Sequence, residues 1–180
     1  MPRAALITGG VSGLGRAAAI RLEADGVKVI TLDVADGAGL VVDVTDPDAV
    51  QAVADAAGPI DVLVNSAGVV GPSVPLWEVP IDGWRRTFEV NVNGTFPTCR
   101  AFVPGMRERG WGRAIAPAVI ETPMNAGTAP DALAHLTSPI PMRRAGKAAE
   151  VAELIAWPAS DKVSFSTGAV YDISGGRATY

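Results

Sequence analysis

Short apolar segments alternate along the chain with longer segments whose apolar residues recur at helical spacing. Six short runs are rich in Val and Ile and are predicted to form strands: residues 4–8, 28–33, 40–44, 61–65, 114–120 and 169–173. Their apolarity is continuous rather than alternating, which is typical of strands that are buried on both faces of a parallel sheet.

Between these runs lie four predicted helices, at residues 14–24, 47–57, 82–109 and 148–157. Asp46 followed by Pro47 supports the second helix, because aspartate caps a helix N-terminus and proline fits its first position. Since strands and helices alternate, the predicted fold is an α/β doubly wound parallel sheet of the Rossmann type. No linker or repeat divides the sequence, so residues 1–180 are expected to form one domain.

Two segments interrupt this regular pattern. The connection between residues 33 and 41 is too short for the usual helical crossover between parallel strands, so an irregular loop is predicted there. Pro97 lies inside the longest predicted helix, where it removes a main-chain donor at a cost of about 3 kcal/mol unless the helix bends. A bend is therefore predicted near residues 94–97.

The composition of the chain argues against several kinds of binding and catalytic site. The 180 residues include 15 basic and 19 acidic side chains, and the net charge of −4 argues against non-specific nucleic-acid binding. Cys99 and His135 are the only cysteine and histidine, which excludes an internal disulfide and argues against a metal site or a Ser-His-Asp triad. The sequence contains neither a membrane-spanning apolar run nor a signal-peptide pattern, so a cytoplasmic protein with a small-molecule partner is expected.

A glycine-rich turn joins the first predicted strand to the first predicted helix, with glycines at positions 9, 10, 13 and 15. Glycine lets the backbone turn sharply and approach a pyrophosphate, while the helix N-terminus presents N–H groups to it. Asp33 ends the second strand at the spacing expected for an acid that binds the adenosine ribose. Its charge would repel a 2′-phosphate, so NAD is predicted rather than NADP. The alternative is that Asp33 only caps an exposed strand end.

Together with later motifs, this turn indicates a family. The pattern Thr8-Gly9-x-x-x-Gly13-x-Gly15 resembles the cofactor signature of the short-chain dehydrogenases/reductases. The resemblance continues at Asp43-Val44, which the family places near the adenine, and at Asn65-Ser66-Ala67-Gly68, which is similar to its Asn-Asn-Ala-Gly motif. Asn91 matches the family's active-site asparagine, and residues 117–122 are similar to the segment that lines the nicotinamide.

The resemblance implies a set of cofactor contacts and one catalytic residue. The implied NAD-binding residues are Gly9, Ser12, Gly13, Leu14, Gly15, Asp33, Asp43, Val44, Asn65, Ala67, Gly68, Pro117, Ile120 and Thr122. Asn91 is the implied catalytic residue, and no metal is implied. The implied reaction is hydride transfer between NAD(H) and a secondary alcohol or ketone.

One segment that the family uses for catalysis is missing from the middle of the chain. Between Arg113 and Ala114 the family places a strand ending in a catalytic serine and a helix bearing Tyr-x-x-x-Lys, a unit of roughly 30 residues or more. No Tyr-x-x-x-Lys occurs in this sequence, and Tyr171 and Tyr180 are its only tyrosines. In the family this tyrosine transfers the proton of the alcohol oxygen, with a pKa lowered by the lysine.

Three interpretations of the missing unit remain open. The chain is a shortened NAD-dependent oxidoreductase, a non-catalytic dinucleotide-binding or scaffold protein, or an enzyme in which Tyr171 or a water held by Asn91 supplies the proton. For Asn91, Cys99 and His135 the structural alternatives are a hydrogen-bonding group at a helix bend, a small buried hydrophobe and a solvated loop residue. A comparison of NAD binding with NAD turnover separates the first two interpretations.

The missing unit also has consequences for the sheet and for subunit contacts. Removal of a whole strand and helix preserves the alternation, so the strand at Ala114 is predicted to pair directly with residues 61–65. The family commonly pairs subunits through its fourth and fifth helices. The resemblance therefore implies that loss of the fifth helix compromises the interface of a homo-oligomer.

Overall fold

The computed structural model describes residues 3–115, 120–121, 130–166, 168–169 and 171–176 of the chain. Its strands are β1 (Ala4–Thr8), β2 (Lys28–Asp33), β3 (Leu40–Val41), β4 (Val62–Asn65), β5 (Arg113–Ile115), β6 (Ile120–Glu121) and β7 (Gly146–Lys147). Its α-helices are α1 (Gly13–Ala24), α2 (Pro47–Ala57), α3 (Ile81–Phe88), α4 (Thr95–Glu108), α5 (Pro130–Thr137) and α6 (Ala148–Ala159). A 3₁₀-helix covers Leu76–Glu78, and a π-helix covers Glu89–Asn93.

The central sheet consists of parallel strands in the order β3-β2-β1-β4-β5. β1 pairs with β2 on one side and with β4 on the other, so the strand order reverses at this point. In doubly wound sheets, ligands bind at the carboxyl ends of the strands where the order reverses. β6 and β7 form a separate two-stranded sheet. The predicted α/β doubly wound class is therefore confirmed.

Helices cover both faces of the central sheet. Ile7 of β1 packs into a core cluster with α1 and α6, whereas Leu6 packs into a second cluster with α2 and α4. Both side chains are completely buried, although they point to opposite faces of the strand. Burial on both faces explains why the apolarity of β1 is continuous.

β5 lies directly beside β4, as predicted for the strand at Ala114. The parallel register pairs Val62 with Arg113 and Val64 with Ile115. No gap of one strand width separates β4 from β5, so this prediction is confirmed.

Two predicted strands are shorter than the sequence pattern suggested. The run at residues 114–120 is not one strand, because β5 ends at Ile115 and β6 pairs with β7; residues 116–119 lie outside the described part of the chain. The run at residues 40–44 ends at Val41. The Asp43 side chain accepts the main-chain N–H of Thr45 there and turns the chain away from the sheet.

The sixth predicted strand, at residues 169–173, is not a strand at any of its described residues, and Val170 lies outside them. An apolar run forms a strand only when a neighbour pairs with it, and the central sheet ends at β5 within the described residues. Asp172 instead accepts the main-chain N–H of Ser174, and the Tyr171 ring lies against Trp157.

The long helix predicted at residues 82–109 is divided into α3, the π-helix and α4. The break lies just before the predicted bend. Because α4 begins at Thr95, Pro97 lies in its first turn, where a missing N–H removes no helical hydrogen bond. At Gly94 a Cβ atom would lie 2.7 Å from Cγ2 of Val44, so the chain needs glycine where it passes the end of the sheet.

The remaining local predictions agree with the structure. No helix lies between β2 and β3, and Asp46 caps α2 by accepting the N–H groups of Asp48 and Ala49 at 3.1 and 3.0 Å. None of the helices in the described ranges is both long and apolar enough to cross a membrane.

Arg113 fixes the start of β5 to the end of α6. Its guanidinium donates to the carbonyl oxygens of Pro158 at 2.8 Å and Val163 at 2.5 Å. It also lies over the Trp111 ring, 4.9 Å from the centroid, and Arg3 faces the same ring at 3.9 Å. Cations stabilise both helix C-termini and aromatic faces. Arg113 therefore fastens β5, the strand that contains the junction at the missing unit, to the rest of the fold.

We expect Arg113→Met to lower the free energy of unfolding by about 1–3 kcal/mol, because the carbonyl groups of Pro158 in α6 and Val163 after it lose their donor. Urea unfolding followed by circular dichroism measures this change. Arg107→Met removes the same charge from an exposed position of α4 and should change stability by less than about 0.5 kcal/mol. Equal losses in the two variants would contradict a stabilising role for the Arg113 contacts.

Candidate functional site

Backbone atoms close the glycine turn between β1 and α1 by direct contact. Gly9 and Gly13 have φ values of +65° and +52°, in the left-handed region that favours glycine. At Gly15 a Cβ atom would lie 2.2 Å from the carbonyl oxygen of Gly9, so no larger residue fits unless the turn opens. Three of the predicted cofactor residues therefore lie together in one tight turn.

The N-terminus of α1 follows this turn and can receive an anion. Ser12 is the N-cap residue, its side chain makes no capping hydrogen bond, and the first turn of α1 contains no acidic residue. The first N–H groups of a helix lack helical acceptors, and the helix dipole favours negative charge there. Leu14 is buried in the core, so its side chain anchors α1 while its main chain belongs to the turn.

Thr8, at the end of β1, connects the glycine turn to the segment after β4. Its buried hydroxyl oxygen accepts the N–H groups of Ser66 at 3.1 Å and Ala67 at 3.0 Å. A Cβ atom on Gly9 would lie 2.8 Å from the carbonyl oxygen of Ser66. The two motifs on either side of the reversal in strand order thus form one continuous wall.

Asp33 lies at the tip of β2, beside the glycine turn. Its carboxylate accepts the N–H of Val11 in the turn and the N–H of Ala35 in the following loop, both at 3.2 Å. Asp33 therefore caps the strand end, as the structural alternative expected, and also contacts the glycine turn. Its contact with a cofactor stays a prediction. A carboxylate accepts about four hydrogen bonds, so its capacity exceeds these two contacts.

Asp43 and Val44 follow β3, the neighbour of β2. Asp43 Oδ1 accepts the main-chain N–H and the hydroxyl of Thr45 at 2.9 and 2.8 Å, and Oδ2 lies 3.3 Å from the Arg86 guanidinium of α3. The Thr45 N–H lowers the pKa of Asp43, and the Thr45 hydroxyl and Arg86 act in the same direction. Asp43 is therefore ionised at neutral pH, whereas the Val44 side chain is buried in the core.

The Asn65 side chain is directed toward α4. Its Oδ1 accepts the hydroxyl of Thr98 at 2.7 Å, and its Nδ2 donates to Sγ of Cys99 at 3.5 Å. Thr98 is completely buried, and Cys99 is partly buried rather than a fully buried hydrophobe. These contacts connect the end of β4 to α4. A contact between Asn65 and the cofactor stays a prediction.

Asn91 lies in the π-helix between α3 and α4. Its Oδ1 accepts the N–H of Val69 at 2.8 Å, and its Nδ2 donates to the carbonyl oxygen of Val69 at 3.0 Å. A Cβ atom on Gly68 would lie 3.3 Å from the same Oδ1. Asn91 thus holds the segment after β4 against the helix break, as its structural alternative expected. Its catalytic role stays a prediction.

The other predicted residues do not join this group in the described part of the chain. Pro117 and Thr122 lie outside the described residues, and Ile120 belongs to β6, with its side chain also outside them. The Tyr171 hydroxyl forms a hydrogen bond with Ser166. His135 is exposed on α5 rather than in a loop. Within the described ranges, no three His, Cys, Asp or Glu side chains are arranged to hold a metal ion.

Four residues contribute to the site although they are not among the cofactor contacts implied by the sequence: Thr8, Thr45, Arg86 and Thr98. The local sequence could have indicated Thr45, because a hydroxyl residue two positions after an aspartate is typical of a side-chain-capped turn. It could also have indicated Thr8, which is a polar residue at the end of an apolar strand. Nothing in the local sequence indicates Arg86, because its contact joins residues 43 positions apart.

Comparison with known proteins identifies the family of the chain. The family model described as short chain dehydrogenase matches residues 3–130, and the model described as Enoyl-(Acyl carrier protein) reductase matches residues 112–178. The chain is 31% identical to a 2-dehydro-3-deoxy-L-rhamnonate dehydrogenase (NAD(+)) of Sphingomonas sp. (strain SKA58), over 99% of this chain and 96% of the relative. It is 30% identical to a cis-4-hydroxycyclohexanecarboxylate dehydrogenase of Sinomonas cyclohexanicum, over 97% and 96% of the two chains.

Solved structures share the architecture. The ligand-free aldohexose dehydrogenase of Thermoplasma acidophilum matches with a TM-score of 0.81 at 27% identity, covering 98% of this chain and 94% of that chain. Levodione reductase matches with a TM-score of 0.83 at 26% identity, covering 97% of each chain. The overall fold is thus shared with known dehydrogenases and reductases.

We expect Gly15→Ala to destabilise the protein by about 1–3 kcal/mol, because the added methyl group overlaps the carbonyl oxygen of Gly9. Opening of the turn should also weaken dinucleotide binding. Thermal unfolding and calorimetric titration measure the two effects. In Gly105→Ala the new methyl group meets only the end of the Arg109 side chain, so that control should retain wild-type binding. Unchanged stability and binding in Gly15→Ala would contradict the tight turn.

Proposed function

The chain belongs to the short-chain dehydrogenase/reductase family, and we propose that it binds NAD rather than NADP at the carboxyl end of its central sheet. The family consists of oxidoreductases that use a nicotinamide cofactor on small molecules. Their reaction is hydride transfer between the cofactor and an alcohol or ketone. A secondary alcohol or ketone is the substrate class proposed for this chain.

The described residues fit a dinucleotide. The glycine turn brings the N–H groups at the start of α1 to the carboxyl end of β1, which suits a diphosphate. Asp33 offers acceptors for the hydroxyl groups of the adenosine ribose, and Asp43 lies just after the next strand, β3, where the base would lie. The nicotinamide half would then extend over β4, toward Gly68 and Asn91.

The position of Asp33 carries the preference for NAD. Its carboxylate is held 3.2 Å from the Val11 N–H of the turn, so a 2′-phosphate on the neighbouring ribose would meet a negative charge. Neither Val11 nor Ser12 supplies a positive charge that would compensate. The Sphingomonas relative, whose name includes NAD(+), supports the same choice.

We expect Asp33→Ala to weaken NAD binding and to strengthen NADP binding. Hydrogen bonds to a charged group contribute about 1.5–3 kcal/mol, so the ratio of the two dissociation constants should change by about 10- to 100-fold. Titration calorimetry with both cofactors measures this ratio. Asp36→Ala removes the same charge from the exposed loop that follows and should leave the ratio unchanged. A wild-type preference for NADP would refute the assignment.

Proton transfer is the step for which this chain lacks the family's residues. Bound NAD supplies the hydride acceptor, but a protein group must also take the proton from the alcohol oxygen. No Tyr-x-x-x-Lys is present in the sequence. The Tyr171 hydroxyl is bonded to Ser166, and both polar atoms of the Asn91 side chain are bonded to Val69. We propose that proton transfer limits turnover in this chain.

The alignment with the Sphingomonas relative favours a second candidate function. It extends over 239 positions although this chain has 180 residues, so many residues of the relative have no counterpart here. A chain that keeps the dinucleotide half of the site and lacks the proton-transfer residues would bind NAD without turnover. This candidate is a dinucleotide-binding protein that has lost the reaction.

We expect saturable NAD binding together with slow reduction of NAD by secondary alcohols. Positioned general acid–base groups contribute roughly 10²–10⁴-fold to rate, so turnover should be lower by that factor than in a family member that has Tyr-x-x-x-Lys. Calorimetry and absorbance at the NADH band measure binding and turnover. Tyr171→Phe should leave any residual rate unchanged. A rate equal to that of the reference enzyme would contradict the proton-transfer limit, and a complete lack of NAD binding would contradict the cofactor assignment.

A further inference from the structure

Arg86 reaches from α3 to the carboxylate that follows β3. Its Nη2 atom lies 3.3 Å from Oδ2 of Asp43. The neighbouring Arg85 instead pairs with Asp82 on the same helix at 3.6 Å. Two adjacent arginines therefore make contacts of different kinds, one within α3 and the other between α3 and the edge of the predicted cofactor site.

The order of the strands places Asp43 at the expected adenine end of the cofactor site. The glycine turn follows β1, Asp33 follows β2 and Asp43 follows β3, and β2 pairs with both of the other strands. Adjacent strands lie about 4.8 Å apart, so these three groups form a row across the sheet. In NAD the diphosphate, the ribose and the adenine follow one another in the same order. Asp43 is thus the acid nearest to the expected position of the adenine, whose 6-amino group donates hydrogen bonds.

We propose that Arg86 is a positioning residue for the adenine end of the NAD site and that it acts through Asp43. This inference rests on the proposed function. Thr45 holds Oδ1 of Asp43, whereas Arg86 holds Oδ2, and two fixed oxygen atoms define the plane of the carboxylate. Each carboxylate oxygen has two lone pairs, so Oδ2 can accept the 6-amino group while it retains Arg86.

Exposure limits the size of the expected effect. The side chains of Arg86 and Asp43 are 52% and 35% exposed, so solvent screens their attraction. Surface ion pairs of this kind correspond to a change of roughly two- to fivefold in an equilibrium constant. Arg86 should therefore tune the affinity for adenine nucleotides without being essential for binding.

A double-mutant cycle tests the proposal with ADP-ribose, which contains the adenosine diphosphate half of NAD and lacks nicotinamide. Arg86→Gln should raise the dissociation constant by roughly two- to fivefold. In an Asp43→Asn background the same substitution should have no further effect, because its partner is gone. Arg85→Gln removes an equal charge one position away and should change binding by less than roughly twofold. Arg86→Lys, which keeps the charge, should restore part of the affinity.

A second pair of variants, which reverse the charge, should produce a larger difference in ADP-ribose binding than the neutral substitutions do. Arg86→Glu places a negative charge against Asp43, whereas Arg85→Glu places it near Asp82 and away from the site. ADP-ribose binding should weaken by roughly tenfold more in Arg86→Glu than in Arg85→Glu, as expected for repulsion of the Asp43 carboxylate. Thermal unfolding of each variant establishes that it is folded.

The outcomes separate this proposal from the function on which it rests. Additive effects of Arg86→Gln and Asp43→Asn, or equal effects at positions 85 and 86, would overturn the role of Arg86 and leave the NAD site intact. Failure of the wild-type protein to bind either NAD or ADP-ribose would overturn the proposed function and this inference with it.

Discussion

In the turn between β1 and α1, backbone atoms pack directly against backbone atoms. The arrangement of the other groups at the carboxyl ends of the strands depends on that contact. A side chain at Gly15 would occupy the position of the Gly9 carbonyl oxygen, so only glycine lets α1 begin directly after β1. Because the turn is this tight, the Val11 N–H reaches Asp33 on β2 and Gly9 lies against Ser66 after β4. One close approach thus aligns the ends of three neighbouring strands.

The groups at the carboxyl ends of these strands match the chemistry of the adenosine diphosphate half of a dinucleotide. N–H groups and a helix dipole lie where a diphosphate needs positive potential. Carboxylates follow on β2 and after β3, where ribose hydroxyls and an exocyclic amine would need acceptors. Arg86 offsets the charge of the outer carboxylate, Asp43, without removing it from solvent. The proposed recognition of the adenosine diphosphate half of the cofactor therefore uses no group from the missing unit.

The fold tolerates the missing unit for a related reason. A strand with its helix is a complete module of a doubly wound sheet, so its removal leaves the remaining strands able to pair. β5 pairs with β4 in regular parallel register, and Arg113 fastens it to the end of α6. Catalysis has no such tolerance, because proton transfer depends on specific side chains at one position. Loss of a module can therefore leave a binding fold while it removes the reaction.

Local pattern was sufficient to predict β1, β2 and the helices α1, α2 and α6, and to select Gly15 and Asp33. Buried strands require continuous apolarity, and tight turns require glycine, so both can be recognised from consecutive residues in the sequence. The sequence pattern also predicted where β5 would pair, because the strand and helix alternation continues through the junction.

The tertiary structure alone decided where β3 ends, how the long helix divides and why the described residues among 169–173 form no strand. It also decided which partners the polar side chains choose: Asn65 bonds to α4, Asn91 bonds to Val69, and Arg86 bonds to Asp43. These contacts join residues that are distant in the chain, so the spacing of apolar residues along the sequence does not predict them. The sequence by itself thus determined the glycine turn and the strands and helices next to it, because turn and burial requirements act on consecutive residues. Packing in three dimensions determined the network of contacts at the candidate site.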